Sequence, residues 1–127
     1  MKKIIIITLL MFVMSTVAQN KQIVLDYSTA QRAFKLERVD DIKQISSRII
    51  LNYDGKSEKV KMFLGESTLN LIRVGQVERL TTTSGLQYLG MTLSDANGEE
   101  LYFQIYYDED YGAKLILEDG TMVFLNN

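Results

Sequence analysis

Apolar and polar residues alternate along much of this chain with a period of two, the pattern of strands that bury one face. In one segment, Val60, Met62 and Leu64 fall on one face, and Lys59 and Lys61 fall on the other. We therefore expect antiparallel strands with one face against a core and the other in water.

Other runs are apolar on both faces. They cover residues 49–51, 101–107 and 122–125. Such runs are typical of a sheet that is covered on both sides. A closed barrel whose outer surface contacts something else would explain them equally well.

Glycines separate these runs at intervals of about ten residues. Asp54-Gly55, Asn97-Gly98 and Asp119-Gly120 are pairs that supply the positive φ angles of tight hairpin turns. Turn signals at this spacing, between β-prone runs, indicate an antiparallel all-β domain. The predicted strands are 22–27, 32–38, 47–53, 57–64, 68–74, 77–83, 86–94, 100–107, 113–118 and 121–125.

The short connections predict that consecutive strands are neighbours in one meander. Sheets of this many strands twist, and they tend to close in order to remove their edges. We expect an all-β fold in which a single antiparallel meander of about 8–10 strands closes into a small up-and-down β-barrel. A two-sheet β-sandwich is the alternative.

The region 28–46 fits both a helix and a strand. Ser28 with Gln31 matches a helix-capping box. Against that, Phe34 and Leu36 alternate with charged residues, as a strand requires. We favour the strand.

The N-terminal residues have the pattern of an export signal. Lys2 and Lys3 precede an apolar run over 4–14, and small and polar residues follow up to Gln19. This predicts a secretory signal peptide over 1–18 and one β-barrel-like domain over 19–127. The apolar run is too short to span a bilayer, and no Cys follows it for a lipid anchor. We expect a secreted or periplasmic protein with no membrane span after signal cleavage.

Composition narrows the chemistry. The chain has no His, Cys, Trp or Pro, which removes thiol and imidazole nucleophiles and ordinary zinc ligation. Asp40-Asp41 and Glu99-Glu100 are adjacent pairs, and adjacent strand residues point to opposite faces. We therefore predict a non-enzyme with no catalytic residue and no cofactor. Without the signal peptide the net charge is −4, which together with export disfavours nucleic acid.

Acidic residues are concentrated in the turns of the final third. In a meander, Asp95, Glu118 and Asp119 should meet on one rim, and the acidic stretch 108–110 should lie at the opposite end. Clusters of carboxylates suit a hard cation such as Ca²⁺. Charged turns are more often simply solvated and discourage edge pairing. We favour solvated turns and predict no metal site.

The strand over 102–107 carries the candidate ligand-binding residues. Tyr102, Gln104 and Tyr106 share one face. If this face lines the barrel interior, it forms an apolar pocket with a few polar groups. If it points outward, it forms a partner surface, where Tyr is enriched. Core packing with cross-strand aromatic pairs is the third interpretation.

The chain also resembles a group of known proteins. A signal peptide ending in Val17-Ala18-Gln19, followed by a short meander with Asp-Gly and Asn-Gly turns, is similar to small exported calycin-like (lipocalin-like) proteins of Bacteroidota. The chain lacks the Trp of the lipocalin Gly-x-Trp element, so no ligand or site residue is carried over.

We therefore expect an exported, non-catalytic β-barrel that binds a small apolar ligand in its interior. The alternative is a structural or protein-interaction module of the cell envelope. The oligomeric state is left open.

Overall fold

The chain forms ten strands in one antiparallel sheet, as seen in a computed structural model that describes residues 21–34, 37–38, 41–55 and 58–127. The strands are β1 Ile23–Tyr27, β2 Thr29–Phe34, β3 Glu37–Arg38, β4 Ser47–Leu51, β5 Lys59–Leu64, β6 Ser67–Thr81, β7 Gln87–Ser94, β8 Glu100–Tyr106, β9 Ala113–Leu117 and β10 Thr121–Asn126. Two short 3-10 turns occupy Tyr53–Gly55 and Glu109–Tyr111. The predicted signal peptide over 1–18 lies outside the described residues.

Consecutive strands from β4 to β10 are neighbours, so the predicted meander is confirmed. The order across the sheet is β1-β4-β5-β6-β7-β8-β9-β10-β2-β3. The sheet curls into a nearly closed barrel, which confirms the first of the two fold hypotheses. Within the described part of the chain, no helix has the length and apolar character needed to cross a bilayer.

A bent N-terminal strand brings the two sides of the sheet together. β1 and β2 follow each other with only Ser28 between them. Tyr27 in β1 pairs with Ser47 in β4, whereas Thr29 in β2 pairs with Asn126 in β10. The segment from β1 to β2 therefore pairs with β4 through its first half and with the C-terminal strand β10 through its second half. The strand assignment favoured for the region 28–46 is confirmed at β2. Its predicted bounds of 32–38 were wrong, because β2 ends at Phe34 and β3 pairs with it antiparallel, with Phe34 opposite Glu37.

The predicted boundary at Gly75 was also wrong. The segments 68–74 and 77–83 were expected as two strands with a turn at Gly75, but they form the single strand β6. Val74 pairs with Thr92 and Glu78 with Gly90, so the intervening residues form a bulge. Gly75 has a φ of 81° in this bulge, which it accommodates without reversing the chain.

The interior of the barrel is packed with apolar side chains. The alternation in β5 is confirmed, because Val60 and Met62 are buried and Lys59 is exposed. The largest completely buried side chains come from strands all around the barrel. They include Ile49, Met62, Leu89, Leu93, Phe103 and Leu125. Burying each such side chain stabilises the fold by about 1.5–3 kcal/mol.

Candidate functional site

The three candidate ligand-binding residues lie on the outer face of β8. Leu101, Phe103 and Ile105 belong to the interior cluster. Because side chains alternate along a strand, Tyr102, Gln104 and Tyr106 point away from that cluster. The structure thus brings the three residues together on one face, as expected, but this face does not line the interior.

This outer face is nevertheless well covered. Gln104 is only 8% exposed and Tyr106 only 7%. The Tyr106 hydroxyl donates a hydrogen bond to Oε1 of Gln104 at 3.0 Å. The ring of Tyr88, on the neighbouring strand, lies 5.4 Å from that of Tyr106, centroid to centroid. Cross-strand aromatic pairing, the third interpretation of this strand, therefore exists on the outside of the barrel.

Lys114 places its ammonium group between two aromatic rings on this face. Its Nζ lies 5.7 Å from the ring centroid of Tyr106 and 5.5 Å from that of Phe124. The register explains this position, since Lys114 pairs with Gln104 on one side and with Phe124 on the other. Cation–π contacts of this kind hold the charge over the sheet.

Tyr102 packs on the adjacent part of the same face. Its phenol extends over Gly90 towards Tyr88. Partial burial raises the pKa of Tyr102 to about 12, with the hydroxyl of Tyr88 and the carboxylate of Glu78 adding to the effect. Tyr102 is therefore a neutral hydrogen-bonding group at physiological pH.

Next to Tyr106 the outer face opens into a cleft of about 540 Å³. Three rings, those of Tyr106, Tyr111 and Phe124, border this cleft together with Lys114. We call it the aromatic cleft. Both polar and apolar residues complete its border. The polar ones are Thr29, Gln31, Thr82, Ser84, Asp110 and Asn126, and the apolar ones are Ala30, Ile42 and Leu86.

The turn after β8 presents Tyr111 to the cleft. The Asp108 carboxylate accepts a hydrogen bond from the backbone N–H of Asp110 at 3.1 Å, and this fixes the 3-10 turn. Gly112 ends the turn with a φ of 59° and a ψ of −123°. The side-chain amide of Asn126 donates to the Asp110 carbonyl at 2.9 Å. As a result, the half-exposed Tyr111 ring lies 6.0 Å from the Tyr106 ring, centroid to centroid.

Comparison of the chain with protein-family models, with curated proteins and with solved structures finds no match. The functional assignment therefore rests on the chemistry of the aromatic cleft and of the barrel itself.

The acidic turns meet at the opposite end of the barrel, as predicted. Asp95, Glu118 and Asp119 border one cleft there, together with Glu99 and Glu100. Among the described residues, no group of three or more acidic side chains is placed to hold a metal ion.

Several of these carboxylates accept hydrogen bonds from backbone N–H groups of their own turns. Asp95 accepts hydrogen bonds from the N–H groups of Asn97 and Glu99 at 2.9 and 3.0 Å. Asp119 accepts one from Thr121 at 2.8 Å, and the hydrogen bonds from Thr121 lower the pKa of Asp119. The carboxylates thus stabilise the turns that carry them.

Of the three predicted residues, only Tyr106 borders the aromatic cleft. Sequence reasoning missed its other residues, and three of these matter most for the site. Lys114 was expected on a solvated face, Phe124 was part of an apolar run, and Tyr111 lay hidden in an acidic turn. For two of them the signal is the cross-strand register, which places Lys114 beside the predicted Gln104 and Phe124 beside Lys114.

Proposed function

We propose that this protein is an exported, non-catalytic β-barrel that binds a small ligand in the aromatic cleft. The observation that carries this proposal is that the rings of Tyr106, Tyr111 and Phe124 border one cleft, with Lys114 over two of them. Ligand sites in proteins are mostly clefts of roughly 300–1,000 Å³ with apolar walls and a few polar groups. The aromatic cleft, at about 540 Å³, fits that description.

The sequence supports the other parts of the proposal. The pattern over 1–18 favours export, and the absence of His and Cys from the chain favours binding over catalysis. A relationship to the calycin-like exported proteins of Bacteroidota belongs to the same proposal. The barrel architecture is compatible with it.

Binding of a small apolar ligand inside the barrel is the second candidate. One observation favours it. Within the described part of the chain, the hydroxyls of Ser47 and Tyr107 are buried and make no hydrogen bond. A buried hydroxyl without a partner is costly, so a mostly apolar ligand with one polar group would stabilise the hydroxyl that it reached.

Fluorescence of the neutral dye N-phenyl-1-naphthylamine tests the cleft. We expect the purified protein to bind the dye, and the change Tyr111→Ala to weaken binding by about tenfold because it removes one aromatic wall. Tyr53→Ala is the matched control, since Tyr53 lies on the turn after β4. It should leave binding unchanged.

Equal dye binding by the wild type and Tyr111→Ala would contradict the cleft assignment, as would failure of the wild type to bind. If Tyr111→Ala had no effect while Tyr107→Phe altered binding, the dye would be inside the barrel. That result would favour the second candidate.

A further inference from the structure

We infer that the ligand of the aromatic cleft is a neutral saccharide, with one sugar ring stacked on Tyr111. This inference rests on the proposed function, because it names the ligand class of the same site. It follows from the charge, the exposure and the polar groups of the cleft.

The border of the cleft is electrically balanced. It contains one cation, Lys114, and one carboxylate, Asp110, among its described residues. A charged ligand would be attracted by one of these groups and repelled by the other. A neutral ligand avoids this conflict and still uses both groups as strong hydrogen-bonding partners.

The aromatic rings of the cleft differ in how far they are exposed to a ligand. Tyr106 is almost completely buried beneath Lys114, whereas Tyr111 is 50% exposed and lies at the rim. Tyr111 therefore offers its exposed ring to a ligand, and the Tyr106 ring lies beside it, tilted by 40° at a centroid distance of 6.0 Å. A sugar ring has an apolar face of C–H groups, and such groups form favourable contacts with aromatic faces.

The polar border matches the other side of a sugar. Hydroxyl and amide side chains surround the rings, from Thr29, Gln31, Thr82, Ser84 and Asn126. Several of these groups already hydrogen-bond within the protein, as Thr29 does to the Asn126 carbonyl and Thr82 does to Ser84. Their remaining donors and acceptors would lose water beneath a purely apolar ligand, which is costly. A saccharide brings hydroxyls that both donate and accept. The aromatic rings of the cleft can thus stack on the C–H face of the sugar, while its polar residues hydrogen-bond the sugar hydroxyls.

A glycan array, followed by native affinity electrophoresis in gels containing laminarin, dextran, xylan or galactan, tests this inference. We expect at least one neutral glycan to bind and to retard the wild-type protein. Tyr111→Ala should weaken binding by about tenfold or more. Tyr111→Phe keeps the ring and should retain most binding. Tyr53→Ala should behave as the wild type does. Oligosaccharides of the bound glycan should displace N-phenyl-1-naphthylamine.

The possible outcomes separate the two claims. If the dye binds in a Tyr111-dependent way and no glycan binds, the saccharide inference is overturned and the cleft assignment stands. If neither binds, both fail. Glycan retardation that is unchanged in Tyr111→Ala, or a preference for anionic alginate and heparin, would also overturn the inference.

Discussion

The phenol ring of Tyr102 lies across the backbone of Gly90, in the space that a Cβ at position 90 would occupy. Cζ of Tyr102 would be 2.7 Å from such a Cβ, well inside van der Waals contact. Glycine is usually weak in a strand interior, but here its missing side chain lets an aromatic residue pack flat on the sheet. The two positions therefore function as a pair.

Replacing this glycine should destabilise the protein. In Gly90→Ala the Tyr102 ring must leave its position and its contact with Tyr88, which we expect to cost about 1–3 kcal/mol. Urea denaturation measures the change in the free energy of unfolding.

The matched background is Tyr102→Ala, in which nothing occupies the space. There Gly90→Ala should be neutral or stabilising by about 0.5–1 kcal/mol, because alanine loses less conformational freedom on folding. If Gly90→Ala had the same effect in both backgrounds, the two positions would not be coupled.

Stability should fall at high pH because of Tyr102. Folding raises its pKa from an ordinary value of 10.0 to about 12, so the folded protein holds this proton more tightly than the unfolded chain. The resulting stabilisation is fully present below pH 10 and is lost as the pH rises towards 12. Urea denaturation at several pH values across this range follows the loss.

Tyr102→Phe has no phenol to ionise at this position and should lose less stability over the same range. Some decline should persist, since burial raises the pKa of Tyr27 as well. The assignment fails if wild type and Tyr102→Phe decline equally.

Two neighbours on β4 should respond very differently to truncation. Ile49 is completely buried, so Ile49→Ala leaves a cavity and should cost about 2–5 kcal/mol. Arg48 forms an ion pair with Asp26 at 2.7 Å, but both side chains are 58% exposed. Arg48→Ala should therefore cost no more than about 1 kcal/mol. Denaturation midpoints compare the two variants directly, and a larger loss in Arg48→Ala would contradict this ranking.

Gly112 should be the most sensitive glycine of the turns. Its φ of 59° with ψ of −123° is a conformation that almost only glycine adopts, and a Cβ there would meet the carbonyl of Leu125. Gly112→Ala should cost at least about 3 kcal/mol. Gly98 also has a positive φ, but the space around it is open, so Gly98→Ala should cost about 1–2 kcal/mol. Thermal unfolding of both variants tests this order, and equal losses would contradict it.

The predicted signal peptide can be tested by measuring where the expressed protein is found and whether residues 1–18 have been removed. Cleavage after Ala18 should give a mature chain beginning at Gln19, which intact-mass measurement detects. Arginines in place of Ile5 and Leu9 interrupt the apolar run and should keep the protein inside the cell. A released protein that retains residues 1–18 would contradict the prediction.

Much of the fold can be predicted from the sequence, because the alternation of apolar and polar residues shows which side of a strand is buried. Val60 and Met62 were placed correctly for this reason. The same rule is ambiguous in β8, where both faces are apolar and only the complete barrel decides that Phe103 is inside and Tyr106 outside. Gly75 illustrates a second limit, because a positive φ serves a bulge as well as a turn.

The aromatic cleft was harder to predict because it depends on contacts between distant strands. The alternation within β9 predicts only that Lys114 points away from the core. The pairing of β9 with β8 and β10 is what brings its ammonium group near the rings of Tyr106 and Phe124. Tyr111 reaches the cleft only because the preceding acidic turn has one particular shape. Single-sequence patterns describe each strand separately. They cannot specify a site that is assembled from four strands and two turns.

The bent N-terminal strand also determines when the protein can fold. Thr29 donates its side-chain hydrogen bond to the carbonyl of Asn126, a residue 97 positions further along the chain. Closure across such a separation is slow, and it cannot begin until the last strand has been synthesised. The barrel therefore stays open while the ribosome is still synthesising the chain, and the C-terminal strand β10 is the last element that its closure requires.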